Sequence, residues 1–380
     1  MSVPVRVLVV DDSPLMRKVL KGMLVEAGFE VETARNGVDA LDAVRRNPPQ
    51  VITLDVNMPE MDGITCLAQL MIESPLPVVM VSSLTEADAT ITFEALELGA
   101  VDFVCKPGGT VSLDLDTVRA ELVTQVRAAA RARVRRAGSL RQRMRQQRED
   151  AESAAGGPRA AGDRGGGRLR TSAPGRAGSP RADRRAVGGP LPELVLIGSS
   201  TGGPTALATV LTSLPRDFGA PIVVAQHIPA SFTRHLAGRL DTECAIEVCE
   251  LSGIETLRPG RAYIGRGDAD VVIERRLGAL TARSVPPSGT YRWHPSVDRL
   301  VASAIASAVD PRRTIGVLLT GMGDDGAAEL TRLRELGGRT VAESEETAVV
   351  FGMPGELVRR DGADLVLPVE RIGGQLAAWG

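Results

Sequence analysis

Short apolar runs alternate with amphipathic segments along the first 130 residues of the chain. The runs that predict strands are VRVLVV, EVETA, VITLD, PVVMVSS and VDFVCK. Apolar residues at helical spacing follow at 14–27, 36–46, 63–72 and 85–98, and a last helical pattern starts near Asp114. A fivefold alternation of this kind predicts a parallel sheet with helices on both faces.

Residues 190–380 show a less regular version of the same alternation. LVLIG, PIVVAQ and TIGVLL are buried-strand runs, each followed by a polar or Gly-rich loop and a helical pattern. VVIERRLGALTARS is typical of a β-hairpin with a Leu-Gly turn, and RTVAE and DLVLP predict further short strands. The fold class predicted for the chain is therefore α/β, with two doubly wound parallel-sheet domains.

A strongly basic segment separates these two blocks. Residues 131–189 carry 16 basic and 5 acidic groups, whereas residues 1–130 have net charge −9 and residues 190–380 net charge −4. Few large apolar residues occur there, so we expect most of the segment to be disordered. The expected organisation is a first domain at 1–125, an Arg/Gly/Ala-rich linker at 126–189 and a second domain at 190–380.

Composition excludes several classes of protein. No apolar run reaches the roughly 18 residues of a membrane span, and the first residues do not resemble a signal peptide, so we expect a cytoplasmic protein without membrane insertion. Four cysteines form no CxxC pair and only three histidines occur, which disfavours a disulfide scaffold or a zinc site. The basic segment favours nucleic-acid binding at first sight, but it contains no Tyr, Trp or Phe for base stacking.

Acidic residues stand at the ends of two predicted strands of the first block. Asp11 and Asp12 follow VRVLVV and Asp55 closes VITLD, and the carboxyl ends of parallel strands converge on one crevice. Such a carboxylate cluster favours a hard divalent cation, most simply Mg²⁺. Ser82 and Lys106 end the fourth and fifth strands, where a hydroxyl and an ammonium suit a phosphoryl group. Taken singly, an Asp at a strand end is usually a helix N-cap or turn residue, and Asp12 is compatible with capping the helix that contains Met16.

The first candidate catalytic motif of the second block is a Gly/Ser-rich turn. Residues 198–202 (GSSTG) satisfy G-x-S-x-G and predict a nucleophilic Ser200, although such turns also bind phosphate or bind nothing. His227 closes the strand PIVVAQ and is the histidine best placed to act as its base. Asp324 or Asp325, after TIGVLL, would orient that base, and each is also compatible with a helix N-cap. The chain order Ser–His–Asp is not that of an α/β-hydrolase.

The segments VLVVDDSPLMRK, LDVNMPEMDG, MVSS and VDFVCKP resemble response-regulator receiver domains, which have a flavodoxin-like fold. The resemblance implies that Asp55 is the phosphoacceptor, Ser82 the switch hydroxyl and Lys106 the phosphoryl-binding lysine. It implies that Mg²⁺ is held by Asp11, Asp12, Asp55 and the backbone carbonyl of Asn57. Phe103 falls at the aromatic switch position, and an ordinary core phenylalanine is the alternative.

The segments IGSSTGGP, VVAQHIPASFT, HPSVDRL and LLTGMGDDGAAEL resemble the Rossmann-like catalytic domain of chemotaxis protein-glutamate methylesterases. The resemblance implies Ser200 as nucleophile, His227 as base and Asp325 as orienting carboxylate, with Thr201 and Met322 near the oxyanion region. It implies hydrolysis of glutamyl methyl esters and deamidation of glutamines on methyl-accepting chemotaxis receptors, without a cofactor for the ester hydrolysis. A histidine kinase would be the phosphodonor, and the receptor array the place of action.

Two residues depart from the family pattern. Ser199 stands where Ala is usual, which places a second hydroxyl beside Ser200. Asp324 stands where Asn is usual, and we expect a second carboxylate there to crowd Asp325 and raise the pKa of one of the pair. The alternative function is a response regulator whose second domain is a non-catalytic receptor-binding adaptor, and the complete Ser–His–Asp set argues against it.

Overall fold

The structure, a computed structural model, describes residues 4–83, 86–106, 115–132, 190–307 and 309–380. Within these ranges, the first block has five strands that alternate with five helices. Its elements are β1 (Arg6–Val10), α1 (Pro14–Glu26), β2 (Glu30–Ala34), α2 (Gly37–Arg46), β3 (Val51–Asp55), α3 (Gly63–Glu73), β4 (Val78–Ser82), α4 (Glu86–Leu98), β5 (Asp102–Cys105) and α5 (Leu115–Ala129). The expected domain boundary after residue 125 therefore falls within α5.

The first sheet is parallel with strand order β2-β1-β3-β4-β5. The central strands β3 and β4 are buried along their whole length, as their unbroken apolar runs predict. Helix α1 begins after Ser13, whose hydroxyl accepts a hydrogen bond from the Met16 N–H at 3.3 Å. Asp12 is therefore not the N-cap of this helix, which leaves its carboxylate available to the acidic cluster.

In the described residues of the second block, ten strands form a larger sheet and a smaller one. Its strands are β6 (Leu194–Ser199), β7 (Ile222–Gln226), β8 (Glu247–Leu251), β9 (Ile254–Thr256), β10 (Arg261–Gly265), β11 (Asp270–Arg276), β12 (Ala279–Val285), β13 (Thr314–Leu318), β14 (Arg339–Glu343) and β15 (Leu365–Leu367). Its α-helices are α6 (Gly203–Leu211), α7 (Ala230–Glu243), α8 (Val297–Ala306), α9 (Ala327–Glu335), α10 (Met353–Arg359) and α11 (Val369–Trp379), and a 3₁₀ turn spans Pro311–Arg313.

Seven of these strands form a parallel sheet with the order β15-β14-β13-β6-β7-β10-β8. The predicted fold class, two doubly wound parallel sheets, is confirmed. The predicted hairpin is β11–β12, and Leu277 and Gly278 at its turn have φ values of 50° and 84°. This hairpin pairs with β9 in a separate antiparallel sheet, which the sequence pattern did not predict.

The two blocks pack against each other through aromatic side chains. The ring of Phe103 on β5 lies 4.3 Å from that of Phe232 on α7, and Phe93 on α4 meets Phe232 edge-on at 6.2 Å. Arg239 on α7 adds an ion pair with Glu97 on α4. Because Phe93, Phe103 and Phe232 are all buried in one hydrophobic cluster, the first block is docked on the second by apolar contact.

Most of the basic segment lies outside the residues that the structure describes. Residues 133–189, which include nearly all of the expected linker, lie outside the described residues. Within the described ranges, no helix is both long enough and apolar enough to cross a membrane.

Candidate active site

Ser200 lies on a tight turn between the central strand β6 and helix α6. Its backbone N–H donates to the Thr320 carbonyl at 2.9 Å, and its carbonyl accepts from the Gly203 N–H at 2.7 Å. Gly202 adopts a left-handed conformation (φ 75°) that a side chain would strain. The turn therefore fixes the Ser200 backbone directly before the positive end of α6, where negative charge is stabilised.

The extra hydroxyl of Ser199 points into the protein rather than into the site. Its Oγ donates to Gln226 Oε1 at 2.6 Å, and both residues are fully buried. Gln226 Nε2 in turn donates to the carbonyl of Ser200 at 2.9 Å. A Cβ on Gly203 would lie 2.0 Å from Gln226 Oε1, so a glycine is needed there. The buried Ser199–Gln226 pair thus stabilises the turn through its hydrogen bond to the Ser200 carbonyl.

His227 and Asp325 meet at the carboxyl edge of the second sheet. His227 Nε2 lies 2.9 Å from Asp325 Oδ2, and both side chains are almost completely buried. The other ring nitrogen, Nδ1, is buried and has no hydrogen-bond partner within the described part of the chain. The imidazole therefore has one nitrogen held by a carboxylate and one available to a further hydroxyl group.

The carboxylate of Asp325 is surrounded by donors from the start of α8. Oδ1 accepts from the Ser296 hydroxyl at 2.9 Å and the Asp298 N–H at 3.0 Å, and Oδ2 accepts from the Val297 N–H at 2.7 Å. Burial alone would raise the pKa of Asp325, but the hydrogen bonds from His227 and these amides hold the pKa below its usual value. Asp325 is thus a fixed anion.

The crowding expected between Asp324 and Asp325 does not occur. Asp324 is exposed, and the pKa of Asp325 is lowered rather than raised. The carboxylate that is coupled to Asp325 is Asp298, whose pKa burial raises to about 6, with repulsion from Asp325 as a smaller cause. The prediction about Asp324 was wrong because two adjacent residues of a loop need not face the same side.

Thr201 and Met322 lie on the two loops that flank Ser200. A Cβ on Gly321 would lie 2.7 Å from Ser200 Cβ, so the loop that carries Met322 runs directly beside the serine. The Thr201 hydroxyl donates to Gln125 Oε1 of helix α5 at 3.0 Å. In this conformation, Thr201 is therefore in contact with the first block.

The remaining histidines have structural partners. His294 Nδ1 bonds Asp270 Oδ1 at 3.0 Å, and His235 Nδ1 lies 3.1 Å from the Ser231 carbonyl within α7. His294 also lines the cavity at Ser200, but its Nδ1 is held by Asp270. His227 is tied directly to the serine turn, because its backbone N–H donates to the Ser199 carbonyl at 3.0 Å.

A cavity of about 490 Å³ opens at Ser200 and His227 and is shared by both blocks. Trp293 and Arg292 line it from the loop before α8, and Thr124 and Gln125 line it from helix α5 of the first block. The first block thus forms one wall of the candidate active site. The other residues that line the cavity are Asp102, Phe103, Ala120, Glu121, Ile228, Pro229, Asp268, Pro287 and His294.

The first sheet brings its own predicted site residues together. Oxygen atoms of Asp11, Asp12 and Asp55 lie within 4.8 Å of one another, and Lys106 Nζ lies 2.7 Å from Asp55 Oδ2 and 3.1 Å from Asp11 Oδ2. Burial raises the pKa of Asp55, and the ion pair with Lys106 opposes this. A set of oxygen ligands with two buried carboxylates fits Mg²⁺. Asn57 follows in the exposed loop, and its N–H lies 3.4 Å from Asp55 Oδ1.

Ser82 and Phe103 stand next to this cluster in the sheet. The buried Ser82 hydroxyl donates to the Ser83 carbonyl at 3.2 Å and accepts from the Thr92 hydroxyl of α4 at 3.0 Å. Phe103 is buried against Phe232 of the second block. The Phe103–Phe232 pair therefore joins β5, the strand next to Ser82, to helix α7, which follows His227.

Comparison with known proteins gives the class of each block. The response regulator receiver domain family matches residues 7–115, and the CheB methylesterase family matches residues 195–376. The catalytic domain of CheB methylesterase from Thermotoga maritima is 39% identical and covers 49% of this chain and 97% of its own, with a TM-score of 0.47.

Whole-length relatives combine the two blocks in the same order. A protein-glutamate methylesterase/protein-glutamine glutaminase of Rhodopseudomonas palustris is 53% identical over 99% of this chain and 98% of its own length. A second, from Rhodospirillum rubrum, is 50% identical over 98% of this chain and 96% of its own. The chain belongs to the family of protein-glutamate methylesterase/protein-glutamine glutaminases with an N-terminal receiver domain, as the sequence motifs predicted.

Proposed function

We propose that the protein is a phosphorylation-activated serine esterase that removes methyl groups from glutamyl methyl esters of chemotaxis receptors and deamidates receptor glutamines. The observation that carries the proposal is the buried His227–Asp325 pair, whose histidine lines the same cavity as Ser200. An arrangement of Ser, His and Asp at the carboxyl ends of three parallel strands is suited to acyl transfer.

In the proposed acylation step, Ser200 Oγ attacks the γ-carbonyl carbon of the methyl ester. His227 takes the hydroxyl proton on Nδ1, the nitrogen that Asp325 does not hold. The carbonyl oxygen becomes an oxyanion beside the amino-terminal end of α6 and the loops of Thr201 and Met322. When the tetrahedral intermediate collapses, the bond to the methoxy group breaks, and the His227 proton leaves with methanol.

Deacylation repeats the same proton transfers with water. His227 Nδ1 takes a proton from water as the oxygen attacks the acyl carbon, and Ser200 leaves with that proton restored. A receptor glutamine enters by the same route, with ammonia as the leaving group in place of methanol. Asp325 keeps the imidazole in the tautomer that has Nδ1 free and stabilises the imidazolium, and no cofactor is needed for these steps.

The receiver domain is proposed to control this reaction through phosphorylation of Asp55 by a histidine kinase. Asp11, Asp12, Asp55 and the carbonyl of Asn57 would hold Mg²⁺, which neutralises charge on the incoming phosphoryl group. Lys106, already within 2.7 Å of Asp55, would hold a phosphoryl oxygen. Ser82 would supply the hydroxyl that turns toward the phosphoryl group, releasing Thr92 of α4.

Activation is proposed to proceed by removal of the receiver from the active site. Helix α5 forms one side of the cavity. Its Gln125 accepts a hydrogen bond from the hydroxyl of Thr201, the residue that follows the nucleophile Ser200. Phe103 packs on Phe232, so a change of the phosphoryl site that moves Phe103 disturbs the same contact. We propose that phosphorylation weakens these contacts and admits the receptor segment to Ser200.

The expected partners are methyl-accepting chemotaxis receptors as substrate and a chemotaxis histidine kinase as phosphodonor, in the cytoplasm at the receptor array. The proposed organisation is a receiver domain at 1–125, a basic linker at 126–189 and a catalytic domain at 190–380, with the last turn of α5 extending into the linker range as far as Ala129. The family membership of both blocks supports these assignments.

Asp55→Asn is expected to abolish incorporation of acid-labile phosphate from a small phosphodonor, because the amide cannot accept a phosphoryl group. Stimulation of methanol release by the phosphodonor should disappear with it, whereas basal release should persist, since Ser200 and His227 are untouched. Asp62→Asn is a matched control, because Asp62 only caps helix α3. Phosphate that still enters Asp55→Asn would contradict the assignment of the acceptor.

The docking of the receiver over the active site, which keeps substrate from Ser200, is expected to weaken as pH rises from about 5.5 to 8. Asp102 and Glu121 of the receiver face the shared cavity together with Asp268 of the catalytic domain. Burial raises the pKa of Asp102 to about 6 and that of Glu121 to about 7, and for Glu121 the charges of Asp102 and Asp268 add to this. A raised pKa of an acid means that docking is favoured while the group is protonated and is opposed as pH passes that pKa.

The measurement is the ratio of phosphodonor-stimulated to basal methanol release as a function of pH. The titration of the catalytic groups contributes to both rates and cancels in the ratio. We expect the ratio to fall with pH in the native chain and to vary less in Glu121→Gln. Glu73→Gln, on the exposed ion pair with Arg45, serves as the control that leaves the slope unchanged. An identical slope in Glu121→Gln would mean that this carboxyl does not govern docking.

A further inference from the structure

Trp293 stacks on the imidazole of His227. The two ring centroids are 5.3 Å apart, and the ring planes differ by only 13°. Trp293 also lines the cavity at Ser200, and the Arg292 guanidinium lies 5.2 Å from its ring centroid. The histidine is therefore in contact with an aromatic face in addition to its hydrogen bond to Asp325.

The segment that carries Trp293 is fixed at two carboxylates. On one side, the buried Asp270 accepts from the Ser296 N–H at 2.9 Å, bonds His294 Nδ1 at 3.0 Å and pairs with Arg299. On the other side, Asp325 accepts the Ser296 hydroxyl. Residues 293–298, here named the clamp segment, are thereby held against both His227 and its orienting carboxylate.

One hydrogen bond does not fix the plane of an imidazole. The bond between His227 Nε2 and Asp325 sets the position of one nitrogen, but the ring can still tilt about that bond and carry Nδ1 away from Ser200. A stacked aromatic face opposes this tilt because it would break the contact across the whole ring. The same face attracts the imidazolium that forms when His227 takes the serine proton.

We propose that Trp293 is a positioning residue, which holds the plane of the His227 ring and stabilises its protonated form during acyl transfer. The inference rests on the proposed role of His227 as the base. The titratable and charged groups that contact the ring or line its cavity come from several elements. They are Asp325, Asp268, His294 and Arg292 of the catalytic domain and Asp102 and Glu121 of the receiver, and Asp298 acts on Asp325 from behind the ring's carboxylate partner.

The test compares Trp293→Phe with Trp293→Leu in the full-length chain, activated with a small phosphodonor. Phenylalanine keeps an aromatic face, whereas leucine keeps apolar bulk without one. We expect kcat/KM for methanol release from methylated receptors to stay within about threefold in Trp293→Phe and to fall about tenfold or more in Trp293→Leu, mostly in kcat. In Trp293→Leu, the acid limb of the kcat/KM profile should move to lower pH by about half a unit.

Trp379→Leu is the matched control, because the other tryptophan also stacks with an arginine, Arg339, at 5.0 Å but lies in α11. It should leave the pH profile unchanged. Equal activities and equal profiles in the Phe and Leu variants of Trp293 would overturn the proposal, since a packing role alone predicts no difference between them in the acid limb.

A spectroscopic measurement covers the case in which Trp293→Leu does not fold. In Trp379→Phe, Trp293 is the one remaining tryptophan. Its fluorescence should be quenched as pH falls and the stacked imidazole becomes charged, and His227→Gln should remove the quenching. A pH-independent emission would count against the contact. The Ser200→Ala chain separates the two hypotheses, because activity in that variant contradicts the proposed nucleophile, whereas the fluorescence result concerns Trp293 alone.

Discussion

Ser200→Ala is expected to lower methanol release by about 10⁴-fold or more, in both the phosphorylated and the unphosphorylated chain. Alanine retains the Cβ that lies beside Gly321 and the backbone hydrogen bonds to Thr320 and Gly203, so the turn should keep its shape. Only the oxygen that forms the acyl bond is lost. The measurement is methanol release from methylated receptors, with thermal unfolding to show that the variant is folded.

Ser199→Ala is the matched control, one residue away in the same turn. Its hydroxyl bonds the buried Gln226, so the variant leaves Gln226 Oε1 without its donor and should lose about 1–3 kcal/mol of stability. Its activity per folded molecule should stay close to that of the native chain. A dispensable Ser200 combined with an essential Ser199 would show that the nucleophile has been assigned to the wrong residue of the turn.

The sequence was sufficient to predict which strand ends would meet. Ser200, His227 and Asp325 each follow an apolar run that reads as a buried parallel strand, and the carboxyl ends of such strands share one edge. The same reasoning brought Asp11 and Asp55 together in the receiver. The strand ends could be predicted because they need only the direction of the strands. The choice between Asp324 and Asp325 depends on the loop after β13, and the strand pattern left it open.

The clamp segment could not be predicted in this way. Ser296 and Trp293 belong to the connection between the hairpin and α8, and their contacts with Asp325 and His227 depend on how a loop folds back over the sheet edge. The motif HPSVD was visible, but hydrophobic periodicity does not tell which residues of a loop face inward. The contact between Phe103 and Phe232 also escaped prediction, because it joins two blocks that are far apart in the chain.

The geometry of the Asp325 carboxylate gives the second large expected effect. In Asp325→Asn, the single carbonyl oxygen can still accept from the Ser296 hydroxyl and the Asp298 N–H. The amide NH₂ would then face His227 Nε2, which becomes the acceptor of that hydrogen bond. The proton of the neutral imidazole would move to Nδ1, the nitrogen that must accept the proton of Ser200. We therefore expect kcat to fall by about 10³- to 10⁴-fold.

Stability provides an independent check on this argument. The same NH₂ group would oppose the Val297 N–H, two donors with no acceptor between them, so Asp325→Asn should also lower the free energy of unfolding by about 1–3 kcal/mol. Asp324→Asn is the control, because its exposed side chain takes no part in these bonds, and its activity should stay near that of the native chain. If Asp324→Asn lost activity while Asp325→Asn retained it, the carboxylate that orients His227 would be the neighbouring one. If both variants retained activity, His227 would act without an orienting carboxylate. The Asp325 carboxylate, whose pKa is lowered, would then serve only to bind the N–H groups at the start of α8.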